Sequence, residues 1–133
     1  MKKLAAVVLS VLAATSQAGQ IYEGEAAAKL LVGNTVEATY RAADDEGRHV
    51  FYEYYTESGE IYGGDKRVEQ IGTYTHYVGS WEVVDGKLCT SVYDRTRSCN
   101  TYEKIDENTY KQSSDTMVFR NVVIHQGKYH PSK

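Results

Sequence analysis

Proline is almost missing from this chain: the single one, Pro131, lies in the C-terminal tail. Nothing reads as a linker, and no repeat or low-complexity segment breaks the chain, so one domain is expected. Cysteine is limited to Cys89 and Cys99. Their spacing excludes the redox arrangement of two thiols separated by two residues at a helix N-terminus. There is no G-x-S-x-G elbow, no H-E-x-x-H and no phosphate-cradling glycine loop, so the commonest hydrolase and nucleotide signatures are missing. Positive charge is in deficit, with 15 Lys and Arg against 18 Asp and Glu and a formal net charge of −3. Without a basic run there is no electrostatic reason to expect nucleic acid or an anionic membrane as partner.

Long apolar runs are missing too, save one at the start. Met1-Lys2-Lys3 is a basic n-region, residues 4–14 are an apolar run of 11, and Ser16 and Ala18 supply small residues before a cleavage point. This is the pattern of a bacterial secretory signal over 1–18, too short for the about 20 residues that span a bilayer. Residues 19–133 are then one mature domain, periplasmic or secreted. Loss of Lys2 and Lys3 makes it two charges more negative, and no integral membrane segment follows.

What the chain does have is tyrosine, 12 against two phenylalanines. Tyrosine suits half-buried strands and aromatic-lined pockets alike, since its ring is apolar and its hydroxyl can stay wet. Residues 24–33 read as one short helix, with three alanines, a Glu25–Lys29 pair at i,i+4 and Gly33 as a left-handed stop. From Asn34 onward the pattern is of strands. Val36, Ala38 and Tyr40 share a face, 49–56 is aromatic, and 57–60 turns into Ile61-Tyr62. Gly63-Gly64-Asp65-Lys66 reads as a break. A long strand over 73–84 is expected to bend or bulge at Gly79. Asp85-Gly86 is a two-residue hairpin signal. Strands over 87–93, 98–104, 109–112 and 117–125 complete about eight, at roughly ten-residue spacing, the pattern of an antiparallel barrel or sandwich.

If the chain turns about Asp94, Cys89 and Cys99 fall directly opposite each other. Export and an even cysteine count favour a disulfide that staples this hairpin. Tyr77, Trp81 and Val83 share one face of their strand, which marks Trp81 as a packing anchor or a cavity wall. Leu31-Val32-Gly33-Asn34-Thr35 after a short helix, Gly79-Ser80-Trp81, Gly86-Lys87-Leu88-Cys89 and a second cysteine ten positions on resemble a group of small exported bacterial proteins of unestablished function. Their fold is taken to be lipocalin-like, or calycin-type. The resemblance implies an all-β, antiparallel, up-and-down eight-stranded barrel with a short N-terminal helix near one end. It implies no reaction.

A barrel of that size holds at most one small ligand. Tyr52, Tyr54, Tyr77 and Trp81 are the candidate pocket wall, and a filled interior is the alternative. His49, His76, His125 and His130 show no metal-type spacing, and Asp44-Asp45-Glu46-Gly47 lacks the alternating ligands of a calcium loop. No metal, cofactor or catalytic residue is assigned. Glu53, Glu82 and Glu103 would support a hydrolase only as a buried pair with separated pKa values. Arg95 and Arg97 stand at the hairpin tip, where a partner could reach them. The leading expectation is an exported barrel that binds a small apolar or aromatic ligand. The alternatives are an inhibitor-like interaction module of the cell envelope, with a protein partner and no small ligand, and a small hydrolase.

Overall fold

Strands that alternate apolar and polar side chains need a common interior, and here they obtain it by closing on themselves. The computed structural model of the protein describes residues 18–41, 47–69, 72–92 and 97–131. All of the expected leader except Ala18, together with Asp44, Asp45, Glu46, Asp94 and Arg95, lies outside the described residues. A two-residue β1 (Ile21–Tyr22) and helix α1 (Gly24–Leu31) precede eight longer strands. These are β2 (Asn34–Arg41), β3 (Arg48–Tyr55), β4 (Glu60–Arg67), β5 (Thr75–Val84), β6 (Lys87–Val92), β7 (Ser98–Lys104), β8 (Thr109–Ser113) and β9 (Val118–Gln126). Each pairs antiparallel with the next, and β9 returns to β2 with Ile124 opposite Val36, closing an up-and-down barrel.

The register fixes which face is inward. Val36, Ala38 and Tyr40 stand opposite Glu53, Phe51 and His49, so those positions share the interior while Val50, Tyr52 and Tyr54 face out. At one end the interior is packed solid. Tyr55, Ile61, Leu88, Tyr102 and Val122 are essentially inaccessible there, and α1 adds Ala27 and Leu31 to the same cluster. A helix of eight residues is marginal alone, and burying Leu31 contributes roughly 1.5–3 kcal/mol toward holding it. Gly24 begins α1 at φ +56°, and a Cβ there would lie 2.6 Å from the Gly86 carbonyl oxygen. The helix start is thereby seated against the β5–β6 turn. That turn has Asp85 at φ +53° and Gly86 at φ +75°, both left-handed, as a type I′ hairpin requires.

Two local expectations change. Gly63 and Gly64 do not break β4, which runs through them from Glu60 to Arg67. A Cβ on Gly63 would lie 2.7 Å from the Tyr77 ring, and one on Gly64 2.7 Å from the Tyr52 ring. The glycines make room on both faces of a continuous strand. Gly79 marks no bulge either: it pairs regularly with Ile61 and Val92, and a Cβ there would meet the Ser91 carbonyl at 2.5 Å. The irregularity lies instead between β8 and β9, at Tyr110 and Gln112.

Cys89 and Cys99 are directly opposed on β6 and β7, with sulfurs 2.02 Å apart in a disulfide on the outer face. Among the described residues no helix is long and apolar enough to cross a membrane.

Candidate functional site

At the end away from α1, the inward side chains change from apolar to polar and leave space. The chamber measures about 240 Å³. One wall is aromatic: Tyr40, Phe51 and Phe119 pack edge to face with centroids 5.5–5.9 Å apart. The opposite side carries Thr90, Asn100 and Gln112 from β6, β7 and β8. The Gln112 side-chain oxygen is buried and has no hydrogen-bond partner among the described residues. A buried acceptor left this way costs about 1–3 kcal/mol, so it is a ready partner for a donor brought in from outside.

Two carboxylates complete the lining, each held by tyrosine. Glu53 accepts from the Tyr77 hydroxyl at 2.7 Å and from Tyr55 at 3.1 Å. Asp65 accepts from Tyr40 at 2.7 Å and lies 2.9 Å from His49 Nδ1. Beneath Glu53, burial pushes the Tyr55 hydroxyl well above the ordinary tyrosine value, with Tyr102 and the Glu53 charge adding to it. Burial raises Tyr102 strongly too, and the Glu53 charge reinforces the shift. The Tyr102 hydroxyl lies beside Tyr55 without reaching hydrogen-bond geometry. Both phenols therefore stay protonated and act as fixed dipoles below the chamber.

A second cavity lies outside the barrel. On the outer faces of β3, β4 and β5, Tyr54, Tyr62 and Val78 form one cross-strand row, and Tyr52, Gly64 and His76 the next. The chain beyond β9 folds back across β2. Gly127 N–H donates to Asn34 Oδ1, Thr35 donates to the Gly127 carbonyl, and Tyr129 N–H donates to Thr35 Oγ1. This strap sets Lys128, Tyr129 and His130 along a groove of about 430 Å³.

The four expected wall residues are thus divided. Tyr77 lines the chamber and borders the groove as well, and the inward Trp81 packs against the core with its Nε1–H donating to the Thr56 carbonyl at 2.8 Å. Tyr52 and Tyr54 face out and line the groove. Glu53, Glu82 and Glu103 do not converge, since Glu82 pairs with Arg97 and Glu103 with Lys111 while Glu53 faces the chamber. Sequence reasoning passed over Asp65, Asn100 and Gln112. The available signal was the inward apolar set of the neighbouring strands, which fixes the face that each of these shares. Among the described residues no group of three or more His, Cys, Asp or Glu is arranged to hold a metal ion. Comparison with protein-family models, with curated proteins and with solved structures finds no match.

Proposed function

We propose that this protein is an exported, lipocalin-like binding protein that takes a small aromatic ligand into the end of its barrel away from α1. The observation that carries this reading is the asymmetry of the interior: solid at the helix, and a polar-lined chamber with an aromatic wall at the far end. A chamber of 240 Å³ is below the roughly 300–1,000 Å³ of pockets for drug-sized molecules, so the ligand is small. The Gln112 oxygen and the two carboxylates favour a ring that carries N–H or O–H donors over a bare hydrocarbon chain. The disulfide fits an oxidising compartment, as export would provide.

The test is a thermal-shift and amide-NMR screen of residues 19–133 against phenols, indoles, fatty acids and haem. Small aromatic donors should stabilise the protein by about 2.7 kcal/mol at a hundred times their Kd. Their shifts should centre on Phe51, Thr90, Gln112 and Phe119, and Thr90→Trp, which fills the chamber, should abolish them. A panel without a single saturable chamber shift would overturn the reading. One observation favours a second reading, a small hydrolase: Glu53 and the His49–Asp65 pair stand in the same barrel mouth. Product formation from aryl esters or glycosides that disappears in Glu53→Gln would support it.

A further inference from the structure

We propose that the outer groove is a second binding site, distinct from the chamber, for a small flat organic anion such as an aromatic carboxylate or sulfonate. Its floor is β4 at Gly63, with Tyr77 beneath. Gly64 lets the Tyr52 ring lie down against the strand, and that ring and His76 form the end wall of the groove beside the Gly63 backbone. Tyr54 and Tyr62 bound it on one side, and the strap residues Lys128, Tyr129 and His130 on the other. Tyr62, Val78 and Tyr129 remain 46 %, 60 % and 37 % exposed, so the apolar surface here is available and contiguous.

Charge decides the class of ligand. Among the described residues no carboxylate lines the groove. The Lys128 ammonium lies 5.4 Å from the Tyr54 ring centre, and the His76 and His130 rings are 6.1 Å apart. Of the carboxylates on this side, Glu37 is held by His125 at 2.7 Å, and Glu60 receives the Tyr62 hydroxyl at the rim. In a chain of net charge −3, a groove whose described lining carries Lys128 as its one charged residue inverts the local sign, and the two imidazoles add polar ring edges beside it. The chamber, whose described lining has two carboxylates and no Lys or Arg, selects the other way. The strap is also anchored for the purpose: Thr35, wholly buried, spends its hydroxyl both donating to Gly127 and accepting from Tyr129.

The experiment is an amide-NMR titration of residues 19–133 with 2-naphthoate, its neutral amide and 2-naphthylmethylamine. The carboxylate should move the Tyr54, Gly63, Val78 and His130 resonances and bind about tenfold more tightly than the amide or the amine. Lys128→Ala should weaken it about three- to fivefold, the size of one partly exposed charge contact. Tyr62→Ala, at an exposed position, should weaken all three probes alike. Thr90→Trp, which blocks only the chamber, should leave the titration unchanged. Equal affinity for the three probes, shifts confined to Thr90, Asn100 and Gln112, or no binding up to about 10 mM would overturn the proposal. Shifts produced only by an acidic peptide would overturn it in favour of a protein partner.

Discussion

Three tyrosine hydroxyls meet around Glu53, and they do not have equal standing. Tyr77 and Tyr55 donate to the carboxylate, whereas Tyr102 is buried beside them without a partner of good geometry. Removing the Tyr77 hydroxyl withdraws a donor from a charged acceptor, so Tyr77→Phe should cost about 1.5–3 kcal/mol. Tyr102→Phe deletes an unsatisfied group and should lie between neutral and about 1 kcal/mol stabilising. The same phenols set an alkaline limit. Their folded pKa values are raised, so the native state holds protons that the unfolded chain releases from pH 10 upward. Stability should be flat through neutrality and fall above about pH 10, by at most about 1.4 kcal/mol per pH unit for each tyrosine. Urea unfolding across pH checks both statements, and Tyr102→Phe should flatten the alkaline fall.

At the scale of the element, the helix is positioned by its ends more than by its own propensity. Gly24 combines φ +56° with a Cβ position only 2.6 Å from the Gly86 carbonyl, whereas Gly33 at φ +82° has open space around it. Gly33→Ala should therefore cost about 1 kcal/mol of backbone strain. Gly24→Ala should cost more, about 2–4 kcal/mol, because the strain is joined by a clash with backbone. Equal losses in denaturant melts would show that the seat on the β5–β6 turn carries no weight. The sequence made α1, the Asp85-Gly86 hairpin and most strand positions legible, since each rests on local chemistry or a period of two. It misled at β4, because glycine pairs read as breaks unless one knows that the Tyr52 and Tyr77 rings need the space. Nor could it orient β3, where Phe51 and Tyr55 stand on one face and Tyr52 and Tyr54 on the other. Only the register with β2 and the strap from residues 127–131 separate chamber from groove.

For the whole molecule, the disulfide is the covalent tie across the barrel wall. Among the described residues, pairing of β6 with β7 extends over three residue pairs, one of them Cys89 with Cys99. Closing this short loop should contribute about 2–3 kcal/mol, and the double variant Cys89→Ser/Cys99→Ser should lose that amount in a thermal or urea melt. The register of this staple was readable from the cysteine positions because a hairpin fixes which residues oppose. The polarity of the chamber was not, since it needs six strands in their final places to bring Glu53, Asp65, Asn100 and Gln112 together with the aromatic wall. Closure has one more consequence. Because β9 returns to β2, every one of the eight barrel strands has neighbours on both sides, and β1 covers the end of β7. Among the described residues the seam is shorter than the strands, since β2 and β9 pair only over 34–37 and 123–126. Strand addition by an incoming peptide is therefore confined to the stretches 38–41 and 118–122 that run past it. Elsewhere the paired wall guards against edge-to-edge self-association, and contact with other molecules falls to side chains, the rims and the two cavities.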